Sequence, residues 1–184
     1  MSQAHALHAL SIADYLNFEA DGSLRHEYMD GQVYAMAGGS IRHNLIAVNA
    51  GSVLNTRLPA ACEVFVADMK VRIREAHQVR FYYPDVMVCC REEDNEAFYR
   101  QSPCLIIEVL SNATERQDRF EKSPAYIRIE TLQEYLLIHQ NYPQATVFRR
   151  ANAWRAETYR EGDLYLASVG ITTAFDTLYR RVRF

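Results

Sequence analysis

The sequence predicts an α/β (α+β) fold, a mixed β-sheet flanked by helices with an antiparallel meander added at the C-terminal end. Three observations predict it. Residues 82–88 and 104–111 are short apolar runs rich in β-branched side chains and bounded by charged or proline-containing turns, as buried strands are. Residues 41–58 carry apolar side chains at helical spacing between a serine and Pro59. Residues 134–140, 145–150 and 154–160 alternate in polarity across turn-forming residues.

Length and composition set the class. At 184 residues, 49% hydrophobic and 23% charged, the chain suits one domain over residues 1–184, with residues 1–10 as a flexible N-terminus. No apolar run approaches the roughly 18 residues of a membrane span, and no charged-then-apolar leader opens the chain, so a cytoplasmic protein without a membrane partner is expected. Cys62, Cys89, Cys90 and Cys104 show neither a metal-ligand spacing nor a disulfide framework, and read as small hydrophobes in strands. A formal charge of −3 argues against a protein that coats nucleic acid nonspecifically. Arg180, Arg181 and Arg183 make the C-terminus basic, which reads as a solvated edge.

Each element follows from local signals. His5 and His8 fall in an unpatterned terminus. Ser11, with Asp14 three residues on, starts a short helix to about Glu19. Residues 25–29 and 32–36 flank Asp30-Gly31, which favours a tight hairpin because both can take positive φ. Gly38-Gly39-Ser40 opens the long helix, with Ser40 as its cap. His43 lies near that helix's positive end, where the dipole favours a neutral ring. Residues 63–66, 70–74 and 80–90 read as strands, and the acidic stretch 91–102 as a solvated loop. A helix beginning at 112–114 carries Asp118 and Lys122, is interrupted at Ser123-Pro124 and resumes over 126–132. After the meander, residues 164–169 add an edge and residues 173–181 a final short helix.

Two carboxylates stand out against this background. Asp85 and Glu108 each sit in an apolar strand, where an ionised side chain is costly unless paired, hydrogen-bonded or bound to a metal. By alternation Asp85 shares a face with Tyr83 and Met87, and Glu108 with Ile106 and Leu110. If the strands are neighbours, both carboxylates can face one cation, and Mg²⁺ or Mn²⁺ suits such hard oxygen donors. The alternative is structural: Asp85 caps a turn after Pro84 and Glu108 pairs with an arginine.

Tyr83-Pro84-Asp85-Val86, Ile107-Glu108-Val109-Leu110-Ser111, Thr114, Asp118-Arg119, Lys122 and Tyr126 resemble the Uma-two family of putative restriction endonucleases, within the PD-(D/E)XK nuclease superfamily. The resemblance extends to Arg25, Glu27, Asp30-Gly31, the Gly38-Gly39-Ser40 turn, His43 and the run Glu134-Tyr135-Leu136-Leu137. It implies a restriction-endonuclease-like core. It also implies Asp85, Glu108 and Lys122 as catalytic residues, with Asp85, Glu108 and the Val109 carbonyl holding the metal. Ser111, Thr114 and Asp118 are implied near them, and Glu27 and His43 as accessory groups. One departure is plain: the superfamily's lysine two residues after the glutamate is Leu110 here, and Lys122 is the matching residue on the following helix. Asp118 and Lys122 are four apart and share a helical face, which also describes an ordinary ion pair.

The expected activity is therefore metal-dependent hydrolysis of DNA phosphodiester bonds, with a possible homodimer by analogy with enzymes that cut both strands. A module that keeps the fold but only binds nucleic acid or protein is the rival, and Leu110 is its best support.

Overall fold

The computed structural model describes residues 9–22, 24–36, 38–111 and 115–184. Helix α1 (Ile12–Asp21) starts where the Ser11 hydroxyl accepts the Asp14 amide. Strands β1 (His26–Met29) and β2 (Gln32–Ala35) form the expected hairpin, with Asp30 at φ 48° and Gly31 at φ 96°. Ser40 accepts the His43 amide at the head of α2 (Ile41–Arg57), which ends at Leu58 ahead of Pro59. Then come β3 (Glu63–Val66), β4 (Lys70–Glu75), β5 (Gln78–Tyr82), β6 (Val86–Cys89), β7 (Tyr99–Arg100) and β8 (Pro103–Leu110). A continuous helical stretch joins α3 (Glu115–Gln117), a π turn (Asp118–Lys122) and α4 (Ser123–Tyr126). The chain closes with β9 (Glu134–His139), β10 (Ala145–Arg149), a 3₁₀ turn (Arg150–Asn152), β11 (Ala156–Tyr159), β12 (Asp163–Leu166), β13 (Ile171–Ala174) and a last 3₁₀ turn (Phe175–Tyr179).

This is a mixed α+β fold built on two sheets. One has the order β2-β1-β5-β4-β7, the other β11-β10-β9-β8-β6-β3, and β12 pairs with β13 apart from both. In the six-stranded sheet β8 and β9 run parallel, with Leu110 opposite His139, and their C-terminal ends open side by side. Alternation sorts the two faces. Val86, Val88, Ile107 and Leu136 pack with Ile46 and Leu54 of α2 and with Phe175. Met87, Ile106, Leu110 and Tyr135 pack against Ala125 and Tyr126 of α4 and against Val71 and Tyr82 of the other sheet. Burial on both faces explains why β8 reads as a continuous apolar run, and it corrects the alternation expected of residues 134–140, since Glu134–His139 is buried throughout.

Several expectations need correction. Residues 80–90 are not one strand: β5 and β6 lie in different sheets, and residues 83–85 carry the chain between them. Pro84 has no amide to give a ladder, and Asp85 sits at the crossing rather than within a strand. The stretch 91–102 is not all loop, because β7 pairs in parallel with β4. Ser123-Pro124 does not break the helix: Pro124 falls in the first turn of α4, where a missing donor costs little. Residues 127–132 do not resume it, and the helix start expected at 112–114 lies outside the described residues. Residues 173–181 are the end of β13 and a 3₁₀ turn. Cys62 and Cys90 are not separate small hydrophobes but form a disulfide, which no spacing rule indicates for residues 28 apart. No helix among the described residues is long and apolar enough to cross a membrane.

Candidate active site

Asp85 and Glu108 meet where β6 begins and β8 nears its end, and backbone amides hold both. The Asp85 amide donates to Glu108 Oε2 at 3.2 Å, and the amide of Val109 donates to Asp85 Oδ2 at 2.7 Å. These two hydrogen bonds fix both carboxylates beside the open end of β8. They depend on the break after β5, which frees the Asp85 amide from any ladder. Tyr83 anchors the crossing from the other side: its hydroxyl donates to Glu19 Oε2 at 2.5 Å and accepts from Lys70 Nζ at 3.2 Å.

The π turn supplies the cation. Its extra residue places Asp118 and Lys122 inward, and both are buried. Lys122 Nζ lies 2.7 Å from Glu27 Oε1, 3.4 Å from Asp118 Oδ1 and 3.7 Å from Glu108 Oε1. Gln117 Nε2 donates to Glu27 Oε2 at 3.1 Å, and Tyr126 donates its hydroxyl to Glu108 Oε1 at 2.7 Å. Glu27, of β1, is thus a partner of the helix rather than of a neighbouring strand. Lys122 forms the i,i+4 pair with Asp118 and reaches the strand carboxylates as well.

Burial governs the charges. Desolvation pushes the Glu108 carboxyl well above its usual range; Lys122 opposes this, while Asp118 and Asp85 add to it. Burial works against the Lys122 ammonium, yet Glu108, Glu27 and Asp118 outweigh it and hold its pKa above the ordinary lysine value. His43 Nε2 sits 3.1 Å from Asp85 Oδ2. Desolvation disfavours the charged ring, but the hydrogen bond and charge of Asp85 prevail, and the pKa is raised. The helix dipole's preference for a neutral ring, expected from position alone, loses to a direct carboxylate contact.

Six of the expected side chains are brought together. Glu27, His43, Asp85, Glu108, Asp118 and Lys122 converge. Val109 contributes its amide to Asp85, and its backbone also faces the His43 ring. Ser111 follows β8 and accepts the Glu115 amide at its carbonyl. Thr114 lies outside the described residues. Sequence reasoning missed Gln117, and it missed the rim where Arg119 meets His139 Nε2 at 3.0 Å and Ser40 donates to Gln140 Oε1 at 2.5 Å. The signal for the rim was the end of β9, but only its parallel pairing with β8 gives that signal meaning.

The donor set suits a hard cation. Glu27, Asp85, Glu108 and Asp118 face one ammonium and one imidazole, so carboxyl groups outnumber cationic ones there. Among the described residues no three side chains already converge as a metal shell. Asp85 and Glu108 would supply two oxygens, with water and backbone oxygen completing the set.

Comparison with known proteins agrees with this architecture. A protein of Synechocystis sp., described as uncharacterized, is 34% identical over 180 residues, covering 95% of this chain and 94% of its own length. A second such Synechocystis protein is 36% identical over 135 residues, covering 71% of this chain and 75% of its own. The crystal structure of a putative nuclease belonging to DUF820 from Anabaena variabilis shares the fold, with a TM-score of 0.69 at 15% identity over 95% of this chain and 99% of that one. Residues 12–176 match the model of a family described as putative restriction endonuclease, and the chain belongs to this Uma2 family.

Proposed function

We propose that the protein is a metal-dependent endonuclease that hydrolyses DNA phosphodiester bonds. The observation that carries this reading is the run of contacts from Asp85 through Glu108 to Lys122 at the open end of β8. Asp85 and Glu108 would hold Mg²⁺ or Mn²⁺, with the Val109 carbonyl as an expected third donor. When bound there, such a cation lowers the pKa of a water and offsets charge on the scissile phosphate. Lys122 orients the attacking water and stabilises charge as the phosphate is attacked. Glu27 and Asp118 keep that ammonium in place, and Tyr126 and the Asp85 amide fix the rotamer of Glu108. His43 holds Asp85 Oδ2 and stands ready to donate to a phosphate oxygen. Pairing of two chains would let both strands be cut.

One observation favours a binding module instead. Leu110 stands where the superfamily places its lysine, and Lys122 is already engaged by three carboxylates. The deciding experiment incubates the protein with supercoiled plasmid and with single-stranded DNA, in Mg²⁺, Mn²⁺ or chelator, beside Asp85→Ala and Glu108→Ala. Metal-dependent nicking lost in both variants supports the nuclease; cleavage retained in both sinks it.

A further inference from the structure

The basic C-terminus is not a loose solvated edge. The Asn49 side-chain amide donates to the carbonyls of Leu178 at 3.0 Å and Arg180 at 2.8 Å, clamping the end of the chain onto α2. The Val182 amide closes on the Tyr179 carbonyl, and Arg181 is held at φ 65°. Between α2 and this turn lies a cavity of about 370 Å³ lined by Arg57, Arg180, Arg181, Ser52, Thr56 and Thr177 among others, with no carboxylate in its wall. Arg57 is oriented by donating to the Thr172 carbonyl at 2.6 Å.

Arg25, Arg100, Arg119, Arg128 and Arg149 are all paired with carboxylates. Among the described residues, no ion pair involves Arg57, Arg180 or Arg181. Arginines elsewhere, Arg42, Arg74, Arg91 and Arg155 among them, also lack an ion pair among the described residues, but here three such groups line one cavity. In a chain of net charge −3, three uncompensated guanidinium groups around one hydroxyl-lined cavity form a local positive field whose complement is an anion.

The position of the cavity says which anion. The N-terminal end of α2 is at the candidate active site, where Ser40 meets Gln140 and His43 meets Asp85. At about 1.5 Å per residue, the cavity residues Asn49 to Arg57 lie roughly 9–21 Å further along the same helix axis. Successive phosphates of one DNA strand advance about 3.4 Å along a duplex. α2 packs on the sheet face opposite that of Glu108, so a backbone whose scissile bond sits at Asp85 and Glu108 would reach these arginines by passing around the end of the sheet where His43 meets Asp85, with phosphates roughly three to six nucleotides away.

We propose that the cavity between α2 and the 175–181 turn binds the nucleic-acid phosphate backbone at a distance of several nucleotides from the cleaved bond. This rests on the nuclease reading. Its residues are separate from those that would cut, so the two can fail independently.

The test is equilibrium binding of fluorescent single- and double-stranded oligonucleotides to the full chain in chelator, across a salt series. The forms compared are wild type, Arg57→Ala, Arg180→Ala, Arg181→Ala, Arg57→Lys and a control, Arg91→Ala. Each alanine variant of the groove should weaken binding about 3- to 10-fold and reduce the slope of log affinity against log salt by about one, while the control changes neither. Arg57→Lys keeps the charge and should keep the slope, which separates phosphate binding from loss of the Thr172 contact. Unchanged slopes in all three alanine variants would overturn the proposal. So would inorganic phosphate raising Tm through these arginines while DNA affinity stays unaffected, since that marks a small-anion site. Groove variants that lower DNA affinity in a protein that never cuts would uphold the site and refute the nuclease.

Discussion

Lys122 Nζ and Glu27 Oε1 lie 2.7 Å apart, joining the π turn to the first strand of the other sheet. Both side chains are about 6% exposed, so neither charge has water to fall back on. Removing one partner of such a pair strands the other, which typically costs about 3–5 kcal/mol. Lys122→Met should be the harsher change, because it leaves Glu27, Asp118 and Glu108 facing one another. Glu27→Gln should cost less, since an amide oxygen can still accept from the ammonium. Urea unfolding of both single variants and the double variant should show a coupling of about 0.5–3 kcal/mol. Strict additivity would mean that the pair is not energetically joined.

The excess of carboxylates makes a second prediction. Mn²⁺ should raise the stability of the wild-type protein by RT ln(1 + [L]/Kd), about 2.7 kcal/mol at a hundredfold excess over Kd. Asp85→Asn and Glu108→Gln should each lose that rise, because each deletes one hard oxygen charge. Tm measured with and without metal checks it. An equal rise in wild type and both variants would place the ion elsewhere.

What the sequence shows of this site follows the range of the interactions. The Asp30-Gly31 hairpin, the Ser40 cap and the stop at Pro59 are local, and each is readable within a few residues. The apolar run of β8 is readable because both its faces are buried. The change of sheet between β5 and β6 is not, because Pro84 announces a break but the destination of β6 depends on pairing with β3 and β8. Lys122 stands out through the family resemblance, and its spacing to Asp118 gives only their i,i+4 pair, whereas its tightest partner, Glu27, lies 95 residues earlier and only the fold joins them. The π turn has no compositional mark. It is nevertheless what turns Asp118 and Lys122 together toward the strands.

The Cys62–Cys90 disulfide should be a measurable part of the stability. It closes a loop of 28 residues, which by loop-closure entropy amounts to about 3–4 kcal/mol. Treatment with a reductant should lower the urea midpoint of the wild type, and Cys62→Ser should show the lowered midpoint already and no further response. Cys104 adds a complication that can be read separately. Its Sγ lies 3.9 Å from Cys90 Sγ, so Cys62→Ser leaves a thiol pair that an oxidant can close. Cys62→Ser/Cys104→Ser removes that route and isolates the native bridge.

His139 predicts the acid side of the stability curve. Its ring stacks on Tyr142 at 4.4 Å, and its Nε2 accepts from Arg119 at 3.0 Å, so the neutral form is the one the fold accommodates. Burial lowers its pKa first; the nearby Arg119 adds to this, while Glu115 works against it. A histidine whose folded pKa lies below its unfolded value of about 6.5 binds its proton more weakly when folded. Its contribution is therefore fully present above that value and is lost as the pH falls from there through the folded pKa. Between pH 7.5 and 5, wild type should lose stability more steeply than His139→Gln, in which no proton is taken up at that position. Because Glu115 offsets part of the effect of burial, the difference should be small and visible as a slope in urea midpoints rather than as a collapse. Parallel slopes for the two proteins would show that His139 titrates alike in the folded and unfolded chain, and that Arg119 does not press on it.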